Sequence, residues 1–207
     1  MLTPEQFLGF LTAAILITLS PGPDNMMVLG AGIAKGRARG IAFGLGCALG
    51  CLNHTLLAVI GVSALIAASP LAFTALKVVG GLYLIWMGLQ ALRSRGGATV
   101  AAGVPDESAR QLFFKGLVAN AINPKVVLFF LSFLPQFVVA SRGDANWQIA
   151  WLGLIFTAQA ALLFGLLGYF SGTIGQWLNR TPRAGMWLDR IAGAIFVGLG
   201  LRLIVSR

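Results

Sequence analysis

Long apolar runs alternate with short polar ones along the chain. Six runs are near the roughly 20 residues a helix needs to cross a bilayer: 7–34, 40–67, 72–92, 112–139, 147–171 and 187–205. The stretches between them carry charges and turn formers: KGRARG (35–40), SP (69–70), RSRGGATVAAGVPDESAR (93–110), SRGDAN (141–146) and LNRTPRAG (178–185). Only 93–111 is long enough to be a linker. The pattern predicts an all-α membrane protein with six transmembrane helices in a single transmembrane domain over residues 1–207. The N-terminal MLTPEQF has no Lys or Arg, so it does not read as the basic start of a secretory signal, and the first segment is expected to be retained.

Two of the runs contain helix breakers at their centres. In the first, SPGPDN (20–25) places Pro21, Gly22 and Pro23 before a charged Asp24 and a polar Asn25. In the fourth, INPK (122–125) places Asn123 and Pro124 before Lys125. Pro23 and Pro124 suit the first position of a restarting helix, and Asn123 is a good N-cap. Helices one and four are therefore expected to be broken at mid-membrane.

Composition sharpens the class. Hydrophobic residues make up 57% and charged residues 10%, against about 25% charged in a soluble domain. Mean hydropathy is +0.86. The net charge of +9 would suggest nucleic acid in a soluble protein. Here its distribution points to a membrane and to no nucleic-acid partner. Loops after odd-numbered segments hold Lys35, Arg37, Arg39, Arg93, Arg95, Arg110, Lys115, Arg180, Arg183 and Arg190. The opposite side holds Lys77, Arg142, Arg202 and Arg207. The positive-inside rule puts the odd loops in the cytoplasm and both termini outside.

The two halves resemble each other. Repeat one (about 7–92) and repeat two (about 112–205) flank the 93–111 linker, each with a proline break in its first segment. Gly81 matches Gly193 and Gly88 matches Gly200 at one offset; Gly46 matches Gly153 and Gly61 matches Gly168 at another. Three crossings per half is an odd number, so the second half must be inverted relative to the first. Inverted repeats with broken helices at matching positions point to a secondary transporter and to its midplane site.

Polar residues collect at the segment centres: Ser20–Pro21 just before Asp24, Asn53–His54, Lys125 and Gln159. A charge at the bilayer centre costs at least about 2.5–3.5 kcal/mol on insertion scales, so Asp24 and Lys125 each need a partner. They could pair with each other. Alternatively, Lys125 and free N–H groups at a helix start would hold a carboxylate, and Asp24 an ammonium. The candidate substrate- and proton-binding residues are Asp24, Asn25, Asn53, His54, Asn123, Lys125 and Gln159. A lone His in an apolar helix is more often packed than reactive. Cys47 and Cys51 share a helix face and read as small packing residues, because a metal site would want more ligands. Small-residue rows such as Gly46–Gly50 allow close contacts within a subunit or between subunits of a homo-oligomer.

SPGPDNMMVL (20–29), KVVGGLYLIWMGLQALR (77–93) and FFKGLVANAINPKVVLFFLSFLPQF (113–137) resemble the lysine exporter (LysE/RhtB) family. The resemblance covers the whole chain. It implies a small multi-pass protein of the bacterial inner membrane that exports amino acids, driven by protons. By resemblance, Pro21, Gly22, Pro23 and Asp24 carry the first motif, and Asn120, Asn123, Pro124 and Lys125 the second. Two other readings compete. An exporter of a metal or other cation draws on Cys47, Cys51 and His54. An intramembrane enzyme would need a nucleophile with a base or a metal cluster, and neither is visible. No Walker A loop and no cofactor motif are present.

Overall fold

The computed structural model describes residues 2–94 and 107–205; Arg95, Arg207 and most of the 93–111 linker lie outside them. All regular structure among the described residues is helical. The elements are α1 (Pro4–Leu19), α2 (Pro23–Lys35), α3 (Arg37–Ala68), α4 (Pro70–Leu92), α5 (Ala109–Ala121), α6 (Pro124–Leu128), α7 (Ala145–Tyr169), α8 (Ser171–Arg180) and α9 (Pro182–Val205).

Local chemistry explains the boundaries. Thr3 accepts from the Gln6 N–H while the Gln6 side chain accepts from the Thr3 N–H, a reciprocal cap with Pro4 at the first helical position. Ser108 and Gln111 repeat the device at α5. Ser69 caps α4 ahead of Pro70, and Asp144 caps α7.

Three helices are long and apolar enough to span a bilayer unaided: residues 37–61, 71–92 and 145–169. Two more candidates are bent pairs. α1 and α2 meet at 56°, and α5 meets the 124–137 segment at 49°. Past α6 the chain winds through a π-helical turn (Phe129–Phe133) and a 3-10 turn (Leu134–Phe137) that contains Pro135. The sixth predicted segment is helical throughout, within α9, and carries Asp189, Arg190 and Arg202; Arg183 lies in the first turn of the same helix. The expected loop at 178–185 is mostly helix: α8 follows α7 directly and α9 starts at Pro182. The protein is a multi-pass membrane protein.

α3 is the central post. It runs antiparallel to α7, with Gly40 against Gly168, Gly44 against Phe164 and Thr55 against Gly153. It runs parallel to α5, where Gly46 lies on the Phe113 carbonyl, Gly116 on the Phe43 carbonyl and Gly50 beside Asn120. α4 and α9 form an antiparallel pair in which Gly81 faces Gly200 and Gly88 faces Gly193. Side chains of Phe10, Phe129, Phe130 and Phe133 fill the centre, with no more than 1% of their surface exposed.

A β-carbon at Gly46 would fall on the Phe113 backbone, which no rotamer can relieve. Gly46→Ala is therefore expected to lower stability by about 1–3 kcal/mol through overpacking. Gly61→Ala, with nothing within 4 Å of the added carbon, should be neutral. Thermal unfolding of both variants in one detergent checks this.

Polar closures mark the two ends of the bundle. At one end Glu107 bridges Lys35 (Nζ–Oε2 2.7 Å) and Lys115, tying the end of α2 to α5. Hydrogen bonds from Lys115 and Lys35 hold the Glu107 carboxyl below the usual carboxylate range. With the folded value depressed, this contribution is present above the ordinary carboxylate pKa and is lost only as pH falls through the depressed value. At the same end Ser94 donates to Asp189 (2.5 Å) and Arg37 lies over the Tyr169 ring. At the other end Gln6 donates to the Phe137 carbonyl and to Gln148 Oε1, while Gln148 pairs with both backbone groups of Val139.

Candidate functional site

The first break leaves the last carbonyls of α1 without helical partners, as any helix end does. Side chains supply them. Asn25 Nδ2 donates to the Thr18 carbonyl (2.9 Å). Lys125 Nζ, from the first turn of α6, donates to the carbonyls of Ile17 (3.2 Å) and Ser20 (3.1 Å). An ammonium at a helix C-terminus is favoured by the dipole. Gly22 is extended, so its backbone would suit any residue; a β-carbon there would lie 2.9 Å from Lys125 Nζ and would push the ammonium from its place.

The second break is built in the same way. Asn123 Oδ1 accepts from the Lys125 N–H (3.0 Å) and caps α6 behind Pro124. The Asn120 carbonyl at the end of α5 accepts from His54 Nε2–H (3.0 Å) and from the Asn123 N–H (2.9 Å). The Asn120 side chain donates to Asp24 Oδ2 (2.8 Å). The two breaks thus exchange arms. Asp24, in the first turn of α2, is held by the end of α5, and Lys125, in the first turn of α6, by the end of α1.

Asp24 and Lys125 are not a salt bridge. Each charge has its own partners, so the alternative of a direct structural pair is replaced by two separate anchorages. Asp24 is 1% exposed and Lys125 3%. Four buried polar atoms at the breaks and on α7 have no hydrogen-bond partner: Asp24 Oδ1, Asn25 Oδ1, Asn123 Nδ2 and Gln159 Oε1. Three are acceptors and one is a donor. Lys125, with three N–H donors, has one beyond its two carbonyls.

A small cavity lies between the breaks. Its polar wall is Thr18, Asp24, Asn120 and Lys125; Cys51 and the rings of Phe129, Phe156 and Phe164 close the other side, with Ile17 and Val126. Its free volume, ≈ 10 Å³ open to the centre of a water-sized sphere, is about enough for one water.

Of the candidates read from sequence, Asp24 and Lys125 line this cavity. Asn25 and Asn123 stand beside it in the breaks, and Gln159 reaches it through Thr18, whose Oγ1 accepts from Gln159 Nε2 (2.9 Å). His54 is buried behind Asn120, against the Phe130 ring. Asn53 lies on the exposed face of α3, apart from the others. Among the described residues, no group of three or more His, Cys, Asp or Glu is placed to hold a metal. Asn120 is the residue that sequence chemistry passed over. It entered only through a family motif, and what recommends it is a position four residues before Pro124 plus a partner 96 positions away.

The LysE type translocator profile matches residues 15–207. The chain belongs to the LysE type translocator family. It is 32% identical over 206 residues to the threonine efflux protein of Escherichia coli K12, spanning 96% of this chain and 98% of that one. It is 28% identical over 201 residues to the leucine efflux protein of Enterobacter sp. strain 638, spanning 96% and 94%. A membrane protein of Vibrio cholerae is 30% identical over 97% of both chains. No solved structure matches. Membership makes this translocator a transporter rather than an enzyme, with a small-molecule substrate and a membrane setting.

Proposed function

We propose that the protein exports amino acids, or closely related small zwitterions, from the cytoplasm across the bacterial inner membrane by proton antiport. The observation that carries this reading is the pair of buried charges, Asp24 and Lys125, each with bonding capacity to spare on one small cavity. Asp24 Oδ1 suits a substrate ammonium. The third Lys125 N–H and Asn123 Nδ2 suit a carboxylate, with the orphan acceptors of Asn25 and Gln159 nearby. The relatives named for threonine and leucine efflux support the same class.

The coupling step follows from Asp24. A proton arriving from outside neutralises the carboxylate, the ammonium loses its partner, and the substrate leaves. The cavity is too small for any amino acid in the present arrangement, which therefore represents a closed form. Opening at the Glu107 end would load substrate from the cytoplasm, and opening at the Gln6–Gln148 end would release it.

The six-crossing inverted repeat is part of this proposal. Alternating crossings require spans two and four to run parallel, one and five parallel, two and five antiparallel, and three and six antiparallel. α3 with α5, α1 with α7, α3 with α7 and α4 with α9 have those directions. Exchanging matched glycines between halves also turns the Gly81–Gly200 contact into Gly193–Gly88, the other contact of that pair. In this topology the Lys35, Ser94 and Glu107 end is cytoplasmic and both termini are outside. Cysteines at Ser94 and Ser141, in a background free of Cys47 and Cys51, should label from opposite sides of the membrane. Labelling of both from one side contradicts the topology.

The function is tested with purified protein in liposomes loaded with a panel of amino acids. Efflux of a subset, accelerated by an opposing proton gradient, is expected. Equal leakage with and without protein, or with and without the gradient, removes the proposal.

A further inference from the structure

Each break orphans a backbone carbonyl that its proline dictates. In an unbroken helix the Ile17 carbonyl would accept from residue 21, and the Asn120 carbonyl from residue 124. Both of those residues are proline, which has no N–H to give. Lys125 Nζ serves the first carbonyl (3.2 Å) and His54 Nε2 the second (3.0 Å). A carbonyl only accepts, so Nε2 carries the hydrogen. His54 therefore stands at the second break where Lys125 stands at the first.

Asn120 has a second task. Its side chain donates to Asp24 Oδ2 (2.8 Å), while Asp24 Oδ1 has no partner among the described residues. The orientation of the carboxylate thus rests on Asn120, and α3 holds Asn120. His54 holds its backbone, and Cys51 Sγ lies 3.6 Å from its Oδ1. Gly50 leaves room for it, since a β-carbon there would fall 2.8 Å from that oxygen. His54 is itself buried, with its ring centroid 5.7 Å from that of Phe130. The path from α3 to the carboxylate runs through one residue: His54 to the Asn120 carbonyl, and the Asn120 amide to Asp24.

We infer that His54 is a positioning residue for Asp24: by serving the carbonyl that Pro124 orphans, it fixes the end of α5 and with it the Asn120 amide that orients the carboxylate. The inference rests on the export reading, in which Asp24 meets the substrate ammonium, and adds to it a residue that touches no substrate. Without the imidazole N–H, the Asn120 carbonyl keeps only the Asn123 N–H (2.9 Å). The end of α5 is then free to shift, and Asp24 loses its fixed donor.

The test is counterflow of labelled threonine and of labelled leucine, in separate runs, in liposomes carrying the wild type or a variant. His54→Met removes the donor and keeps much of the volume. It should raise the half-saturating concentration about three- to tenfold, the range of one neutral hydrogen bond. Loss of folded protein alone would lower the saturating rate and leave half-saturation in place. His54→Gln, whose side-chain N–H reaches a similar point, should recover most of the lost affinity. In an Asn120→Ala background the same His54→Met change should move half-saturation by less than about twofold, because no amide remains to be positioned. His54→Leu gives the same reading if the methionine variant does not fold. Unchanged half-saturation without the donor, no recovery in His54→Gln, or an equal loss in both backgrounds overturns the inference and leaves export standing. If the wild type shows no counterflow with these or any other amino acid, the export reading fails and this inference with it.

Discussion

Asp24→Asn should abolish uphill export while leaving the protein folded and able to exchange substrate at high concentration. Asn is nearly isosteric and can still accept from Asn120, so the contact between α2 and α5 survives. What disappears is the charge. A hydrogen bond to a charged group is worth about 1.5–3 kcal/mol, so affinity for the ammonium should fall roughly 10- to 150-fold. Coupling should fail altogether, because the amide can neither take up nor release a proton. His54 does not replace it: its ring stands behind Asn120 and donates to that residue's carbonyl. Efflux against a concentration gradient, measured with and without a pH gradient, separates this outcome from simple weakening. Retention of gradient-driven export by Asp24→Asn would remove Asp24 from the mechanism.

Lys125→Met should be the most damaging single substitution for stability. The ammonium is the buried hydrogen-bond partner of the Ile17 and Ser20 carbonyls. Removing it leaves two buried acceptors unpaired, at about 1–3 kcal/mol each. Transport should fail as well, because the site loses its anchor for a carboxylate. Substrates whose carboxylate is esterified or amidated should lose less affinity than the free acids. The double variant Asp24→Asn with Lys125→Gln is informative because the two charges have separate partners. Its stability loss should fall short of the sum of the Asp24→Asn and Lys125→Gln losses by about 0.5–3 kcal/mol, because the two charges line one cavity. Rescue of one by the other would show a coupled ion pair and would contradict the anchorages described above.

The breaks were legible because their chemistry is local. Proline, glycine and an N-cap within a few residues fix where a helix must stop and restart, and the structure ends α1 at Leu19 and starts α6 at Pro124. That Asp24 and Lys125 would need partners was legible too, from their place in apolar runs: both are buried and hydrogen-bonded. The partners were not. That Lys125 would reach the carbonyls of Ile17 and Ser20, over a hundred positions away, depends on how the two breaks pack, and a backbone acceptor has no residue signature. Asn53 shows the opposite limit. Its depth in the segment was readable, but its face was not, because a helix apolar all round gives no periodicity to orient it. α8 falls mostly between the fifth segment (147–171) and the 178–185 loop, where SGTIGQWLNR is short and mixed in polarity. It is helical in contact with α2, where Gly175 meets the Ile33 side chain.

In the proposed export cycle, substrate binds in the cavity between the two breaks. Cys51 offers a direct probe, since its side chain lines that cavity beside Asn120. On a Cys47→Ala background, the rate of Cys51 modification by a small thiol reagent is measured in liposomes with and without saturating exported amino acid. Modification should be slow and slower still with the amino acid bound, with that protection lost in Asp24→Asn. Modification at the same rate whether or not the exported amino acid is present would contradict binding there.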